Sequence, residues 1–327
     1  MKIVITGGAG FLGRRLAIRL LEKGSLTDSA GHVRIISEIL LVDVVAPEGM
    51  SDPRLRILTG DVSDIELLRQ AIDGATTSVF HLAAVVSGQA ELDFDLGMRI
   101  NLDASRQLLE ICRSLGHKPK VVFTSSVAVY GGKLPEVVQD STALNPQSSY
   151  GAQKAIAELL LNDFSRRGFV DGRVLRLPTI SVRPGKPNKA ASSFASGIIR
   201  EPLQGQETVC PVSPDLRLWL QSPRKAIDSL IAGHDLPGSA FGNNRTINLP
   251  GISVSVGEMV AALEKVAGQS ATQHIRWEPD PLVQRIVGSW PGCWDTSRAT
   301  ALGFAGDADF ESIVRAFIED DLSATNA

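Results

Sequence analysis

Lys2-Ile-Val-Ile-Thr6-Gly7-Gly8-Ala9-Gly10-Phe11-Leu12-Gly13 opens this chain, and an amphipathic segment follows. The apolar run reads as a strand buried on both faces. Glycines at 7, 10 and 13 then form a turn that leads directly into a helix. In that order Gly7 permits the tight turn, Gly10 lets backbone approach a pyrophosphate, and Gly13 lets the helix pack closely on the strand. The helix N-terminus presents free N–H groups and positive potential to phosphates, and Phe11 and Leu12 lie in the same turn. The stretch predicts a dinucleotide site at the first strand of an α/β fold.

Apolar strand patterns alternate with helical ones through about Pro178, which predicts a Rossmann-type doubly wound parallel sheet. Beyond Pro178 the chain turns to proline, glycine and serine-rich loops with short helices, the mark of a smaller, less regular C-terminal substrate domain. The expected organisation is a dinucleotide-binding domain over 1–178, rejoined by about 217–235, with 179–327 mainly binding substrate.

Leu40-Leu-Val-Asp43 reads as a second strand ending in a carboxylate. An acid there accepts hydrogen bonds from the adenosine ribose and repels a 2′-phosphate, favouring NAD over NADP. Its usual distance from the glycines is about 20 residues. Here Ser25 to Ser37 intervene, read as an inserted polar loop, and Asp28 lies inside that insert with no strand before it.

Val121-Val-Phe-Thr-Ser125-Ser126 is a strand ending in hydroxyls, upstream of Tyr150-Gly-Ala-Gln-Lys154. Strand ends on one edge of a parallel sheet face the ligand crevice, where Ser126 can hydrogen-bond a reacting oxygen. Tyr150 and Lys154 are one helical turn apart, a phenol and an ammonium on one face. A phenol ordinarily titrates near 10, so a base working near neutral pH needs a drop of roughly 3 units, about 4 kcal/mol. The neighbouring cation supplies part of it, and the positive ring of an oxidised nicotinamide more.

Together these residues resemble the extended short-chain dehydrogenase/reductase superfamily, which holds the nucleotide-sugar epimerases and dehydratases, over nearly the whole chain. Asp61 and Val62 in Gly60-Asp-Val look like its adenine-side motif. Leu82, Ala83 and Ala84, closing Val79-Phe-His-Leu-Ala-Ala, look like its cofactor-lining segment. Asn101 is similar to its asparagine beside the active site, Pro178 joins the cofactor-lining positions, and Asp295 to Phe304 looks like its closing motif. The resemblance implies NAD as cofactor, Tyr150 as acid/base, Lys154 lowering its pKa and holding the nicotinamide ribose, and Ser126 orienting the reacting oxygen. It also implies a homodimer, with the helices over 101–115 and 150–164 pairing into a four-helix bundle.

Departures from the family narrow the reaction. A 4,6-dehydratase carries an Asp-Glu pair after the catalytic hydroxyl, where this chain has Val127 and Ala128. Epimerases usually have an asparagine where Thr179 stands, and their Arg-Asp-aromatic signature is replaced around Asp215-Leu-Arg217. A smaller substrate is expected, over Ser125, Ser126, Tyr150 and Thr179. Without a nucleotide handle it needs a local anchor, which an arginine supplies to a carboxylate. Arg183 is the first candidate and Arg217 the second. The inserted segment and the Leu177 to Gly185 run resemble the group of this superfamily that oxidises the C2 hydroxyl of the four-carbon acid D-erythronate with NAD. Two other readings stand beside it: a nucleotide-sugar 4-epimerase with tightly bound NAD, and a non-catalytic NAD-binding module.

Composition bounds the rest. A net charge of −3 without clustered Lys and Arg gives no face for nucleic acid or an anionic membrane. No run approaches the ~18 apolar residues of a membrane helix, and the first strand begins at residue 2, so a cytoplasmic enzyme is expected. Cys112, Cys210 and Cys293 lack metal-ligand spacing, the histidines are scattered, and no metal is expected.

Overall fold

The computed structural model describes residues 1–322. Its strands are β1 (Lys2–Thr6), β2 (Ser25–Thr27), β3 (Val33–Ile35), β4 (Glu38–Asp43), β5 (Leu55–Thr59), β6 (Thr76–His81) and β7 (Lys120–Ser126), then β8 (Asp171–Leu177), β9 (Thr179–Ile180), β10 (Thr208–Cys210), β11 (Arg217–Gln221), β12 (Thr246–Asn248), β13 (Ile252–Ser255) and β14 (Ile275–Trp277). The helices that matter below are α1 (Phe11–Lys23), α2 (Ile65–Ala71), α3 (Ser87–Leu92), α4 (Phe94–Gly97), α5 (Ala104–Leu115), α6 (Ser149–Arg166), α7 (Phe194–Leu203) and α8 (Pro223–Asp235).

Seven parallel strands form the main sheet in the order β12-β8-β7-β6-β1-β4-β5. Period-two alternation sends Ile3 and Ile5 into the core on one face and Val4 into the core on the other; Ile39 and Leu41 oppose Leu40 and Val42 in the same way. Burial of each such side chain stabilises the sheet by ~1.5–3 kcal/mol. The chain runs from β1 outward to β4 and β5, then crosses back to place β6 on the other side of β1. The carboxyl ends of β1 and β6 therefore flank a topological switch point, where open α/β sheets bind ligands. Helix α1 buries Gly13, Leu16, Ala17 and Leu20 against the sheet and ends at Gly24, whose φ of 72° is the left-handed cap.

Two expectations need correction. The Ser25 to Ser37 insert is an antiparallel hairpin of β2 and β3 rather than a loop. Asp28 closes it by accepting from the Ala30 and His32 N–H groups and from Arg34 Nε, while buried Leu26 docks it on the core. The chain also rejoins the sheet later than Arg217. Strand β11 pairs with β9 and β13 in a separate three-stranded sheet. The return is made by α8, whose Ala226, Ile227 and Leu230 enter the first core, and by β12 at the sheet edge. A second core gathers Val182, Phe194, Ile198, Leu218, Met259 and Phe317 from the later chain. No helix among the described residues is long and apolar enough to cross a membrane.

Candidate active site

The glycine turn sits at the switch point. Gly7 N–H and Gly8 N–H both donate to Val42 O, at 2.9 and 3.2 Å. Asp43, at the end of β4, accepts from Ala9 N–H at 2.9 Å through Oδ2 and from Val44 N–H at 2.8 Å through Oδ1. This carboxylate thus ties the turn to the neighbouring strand. A Cβ on Gly13 would lie 2.2 Å from Gly7 O, and one on Gly7 would lie 2.7 Å from Ala83 N, so both positions demand glycine. Helix α1 has no side-chain cap and no acidic residue in its first turn, leaving its N–H groups and positive potential for an anion.

Beside the turn lies a cavity of about 520 Å³ lined by Gly7, Gly10, Asp43, Asp61, Val62, Leu82, Ala83 and Ala84. Glycine backbone at a helix N-terminus, apolar walls and two carboxylates, Asp43 at a strand end and Asp61 beyond the next strand, make a set that fits NAD. Phe11, Leu12 and Pro178 belong instead to a smaller neighbouring cavity; the boundary falls between Gly10 and Phe11 and between Val85 and Val86. Asn101 lines neither. It lies buried in a π-helical segment, Met98–Asp103, where its amide bonds both backbone groups of Val85 and Gln153 Oε1. Its place is behind the cavity wall, fixing the loop after β6 to α6.

The smaller cavity, of about 150 Å³, is where the candidate reactive groups converge. Ser125 and Ser126 reach it from the end of β7, and Tyr150 from the first turn of α6, whose Ser148 cap accepts from Gly151 N–H. Lys154 stands one turn on, with Nζ donating to Thr124 O at 2.9 Å and lying 5.8 Å from the Tyr150 ring centre. Burial drives the two groups in opposite senses. It pushes the Tyr150 phenol up to about 12, against the pull of the Ser126 hydroxyl and the Arg183 charge. It drives Lys154 down to about 7, against the Glu158 carboxylate. In the protein alone the phenol therefore stands above its ordinary value, because the cost of burying its charged form outweighs the Ser126 hydroxyl and the Arg183 charge.

Thr179 and Arg183 complete the smaller cavity on the side of the second core. Arg183 is the only charged residue lining it among the described residues, and its guanidinium makes no hydrogen bond or ion pair with any of them. Burial and then the Arg200 charge bring it down to about 10. Arg217 is not there. It lies exposed at the start of β11, donating to Ser253 O and paired with Glu258 at 3.3 Å. The register of β11 with β13 holds it outside the cleft.

The family model described as the NAD dependent epimerase/dehydratase family matches residues 3–220. The chain belongs to that family. It is an NAD-dependent oxidoreductase with a Rossmann fold. A protein of Cupriavidus necator named D-erythronate dehydrogenase is 63% identical over 98% of both chains. One of the same name from Haemophilus influenzae is 49% identical over 98% of this chain and all of the other. A crystal structure of a protein named as a nucleoside-diphosphate-sugar epimerase, from Agrobacterium tumefaciens, superposes with a TM-score of 0.91 at 46% identity, covering 99% of this chain and 95% of that one.

Sequence reasoning passes over several residues of this family member's site. Gly8 is as constrained as its neighbours, since a Cβ would lie 2.7 Å from Leu41 Cβ. Trp290, Ser87 and Ser192 line the smaller cavity from distant parts of the chain, with no local signal to announce them. Arg176 and Glu158 form a buried pair at 2.7 Å below Lys154. The position of Glu158, one helical turn beyond Lys154 on the same face, is a signal open to reading.

Proposed function

We propose that this protein oxidises the C2 hydroxyl of a small sugar acid, D-erythronate, to 2-dehydro-D-erythronate with NAD. The observation that carries this reading is Arg183, a cation without a partner among the described residues, facing Tyr150 and Ser126 across a cavity of about 150 Å³ that no described acidic residue lines. That volume lies well below the roughly 300–1,000 Å³ of ordinary ligand pockets and suits a four-carbon acid better than a nucleotide sugar. Two relatives named D-erythronate dehydrogenase, at 63% and 49% identity, support the same substrate. The name given to the Agrobacterium protein favours an epimerase, and the cavity's size argues against it.

Arg183 binds the carboxylate in a charge-assisted pair, which brings C2 over Tyr150. NAD, when bound, supplies the hydride acceptor and a positive charge beside the phenol. Tyr150, as phenolate, accepts the proton of the C2 hydroxyl, and Lys154 below it stabilises the anionic form. Ser126 donates to the oxygen as its carbonyl develops. Ser125, 2% exposed with an Oγ that bonds nothing among the described residues, offers a further donor to the substrate's hydroxyls.

Absorbance at 340 nm on mixing the protein with NAD and D-erythronate, L-threonate or UDP-sugars tests the assignment. NADH in excess of enzyme with one acid is the expected result. Absence of NADH with every acid, together with interconversion of a UDP-sugar, sinks it in favour of the epimerase.

A further inference from the structure

We propose that Arg200, which does not reach the cavity, is the positioning residue that holds Arg183 in its acid-binding pose, so that selectivity for a carboxylate rests on a two-arginine unit closed by Glu201. The proposal rests on the reading that Arg183 anchors the substrate's acid group. The residues from Ser181 to Arg183 leave β9 with no regular structure to hold them. Three side chains clamp them to α7: Ser181 Oγ donates to Ala195 O at 2.8 Å, Ser196 Oγ accepts from Arg183 N–H at 3.0 Å, and Arg200 Nη1 donates to Arg183 O at 2.7 Å. Only the last is charge-assisted, and such bonds are roughly twice as strong as neutral ones. Arg200 is itself immobilised, 3% exposed and paired through Nη2 with Glu201 Oε1.

Charge balance points the same way. The Arg183 guanidinium feels the charge of Arg200, and the one carboxylate bonded to either among the described residues is Glu201, on Arg200. The second oxygen of Glu201, Oε2, is buried without a hydrogen-bond partner among the described residues, and no N–H of Arg183 reaches it. Buried charges are ordinarily paired, so the unit carries one positive charge in excess at the wall of the cavity. A substrate carboxylate supplies the missing negative charge and relieves the repulsion between the two cations. A neutral polyol of the same length leaves it standing.

Steady-state kinetics of the full chain, with NAD saturating and D-erythronate varied, decide the matter. Arg200→Gln is expected to raise KM for the acid about tenfold or more, the effect of losing one hydrogen bond to a charged group. It should move kcat less than about threefold and leave KM for NAD unchanged, since uniform substrate binding alone is weakened. Arg200→Lys, which keeps a charged donor, should recover much of the loss. A KM within about twofold of the parent, or equal losses in kcat and in affinity for NAD, overturns the proposal. Arg183→Gln is measured alongside. If it leaves KM for the acid unchanged, or if the parent does not oxidise the acid, the reading of Arg183 fails and takes the proposal with it. If it raises KM while Arg200→Gln does not, only the role of Arg200 fails. Should Arg200→Gln not fold, the double replacement Arg200→Met with Glu201→Leu removes the buried pair as an apolar unit. It must raise KM in the same way, and an unchanged KM is equally decisive against the proposal.

Discussion

At the scale of single residues, burial sets the chemistry of the cleft. Burial pushes the Tyr150 phenol up to about 12 in the protein alone, so its working form depends on what enters beside it. Because a base must be deprotonated, kcat/KM for oxidation should rise with pH, and Tyr150→Phe should bind NAD yet lose about 10²–10⁴-fold in kcat. Lys154 carries the complementary signature. Its folded value of about 7 lies below the ordinary 10.5, so between those limits the unfolded chain binds more protons than the folded one. Stability from this group is present above the unfolded value and is lost as pH falls towards 7. The Tm of Lys154→Met relative to the parent should accordingly be most favourable near pH 7 and decline as pH rises towards 10.5, as followed by calorimetry at a series of pH values.

At the scale of elements, two glycines at opposite ends of α1 do different work. Gly13 is pressed against Gly7 O at a distance no Cβ tolerates, whereas Gly24 has open space around it and only its φ of 72° to satisfy. Gly13→Ala should abolish NAD binding, because the helix must move away from the turn whose N–H groups receive the phosphates. Gly24→Ala should cost ~1–2 kcal/mol for a left-handed alanine, a shift of a few °C in Tm, with NAD affinity unchanged by fluorescence titration. The glycine turn, the strand carrying Asp43 and the Tyr150 to Lys154 helix are all legible because each is a local pattern: period-two burial, a turn residue, or one helical turn. The hairpin of β2 and β3 escapes such a reading because its stabilising contacts, Asp28 with Arg34 and Leu26 with the core, interrupt no simple periodicity.

At the scale of the whole molecule, exposed apolar side chains gather on elements that pack together. Leu92 and Phe94 on α3 and α4, and Ile156 and Leu159 on α6, remain 43–76% exposed. A homodimer formed through this face would bury them, in line with the expected pairing of the α6 helices. Sedimentation equilibrium should show a dimer, and Leu159→Lys should convert it to a monomer by placing an unpaired charge in an apolar interface. Asp320, near the end of the described residues, pairs with both Arg15 and Arg224. The sequence by itself determined the parallel sheet, the dinucleotide turn and the group of Ser126, Tyr150 and Lys154, since strand periodicity and helical spacing act over a few residues. Only the tertiary structure placed Arg183 in the cavity and Arg217 outside it, brought Trp290 and Ser192 to the cavity, and sent Asn101 behind its wall. Those outcomes depend on how β9, β11 and β13 register and on which side chains low-dielectric burial leaves unpaired, and long-range packing alone sets both.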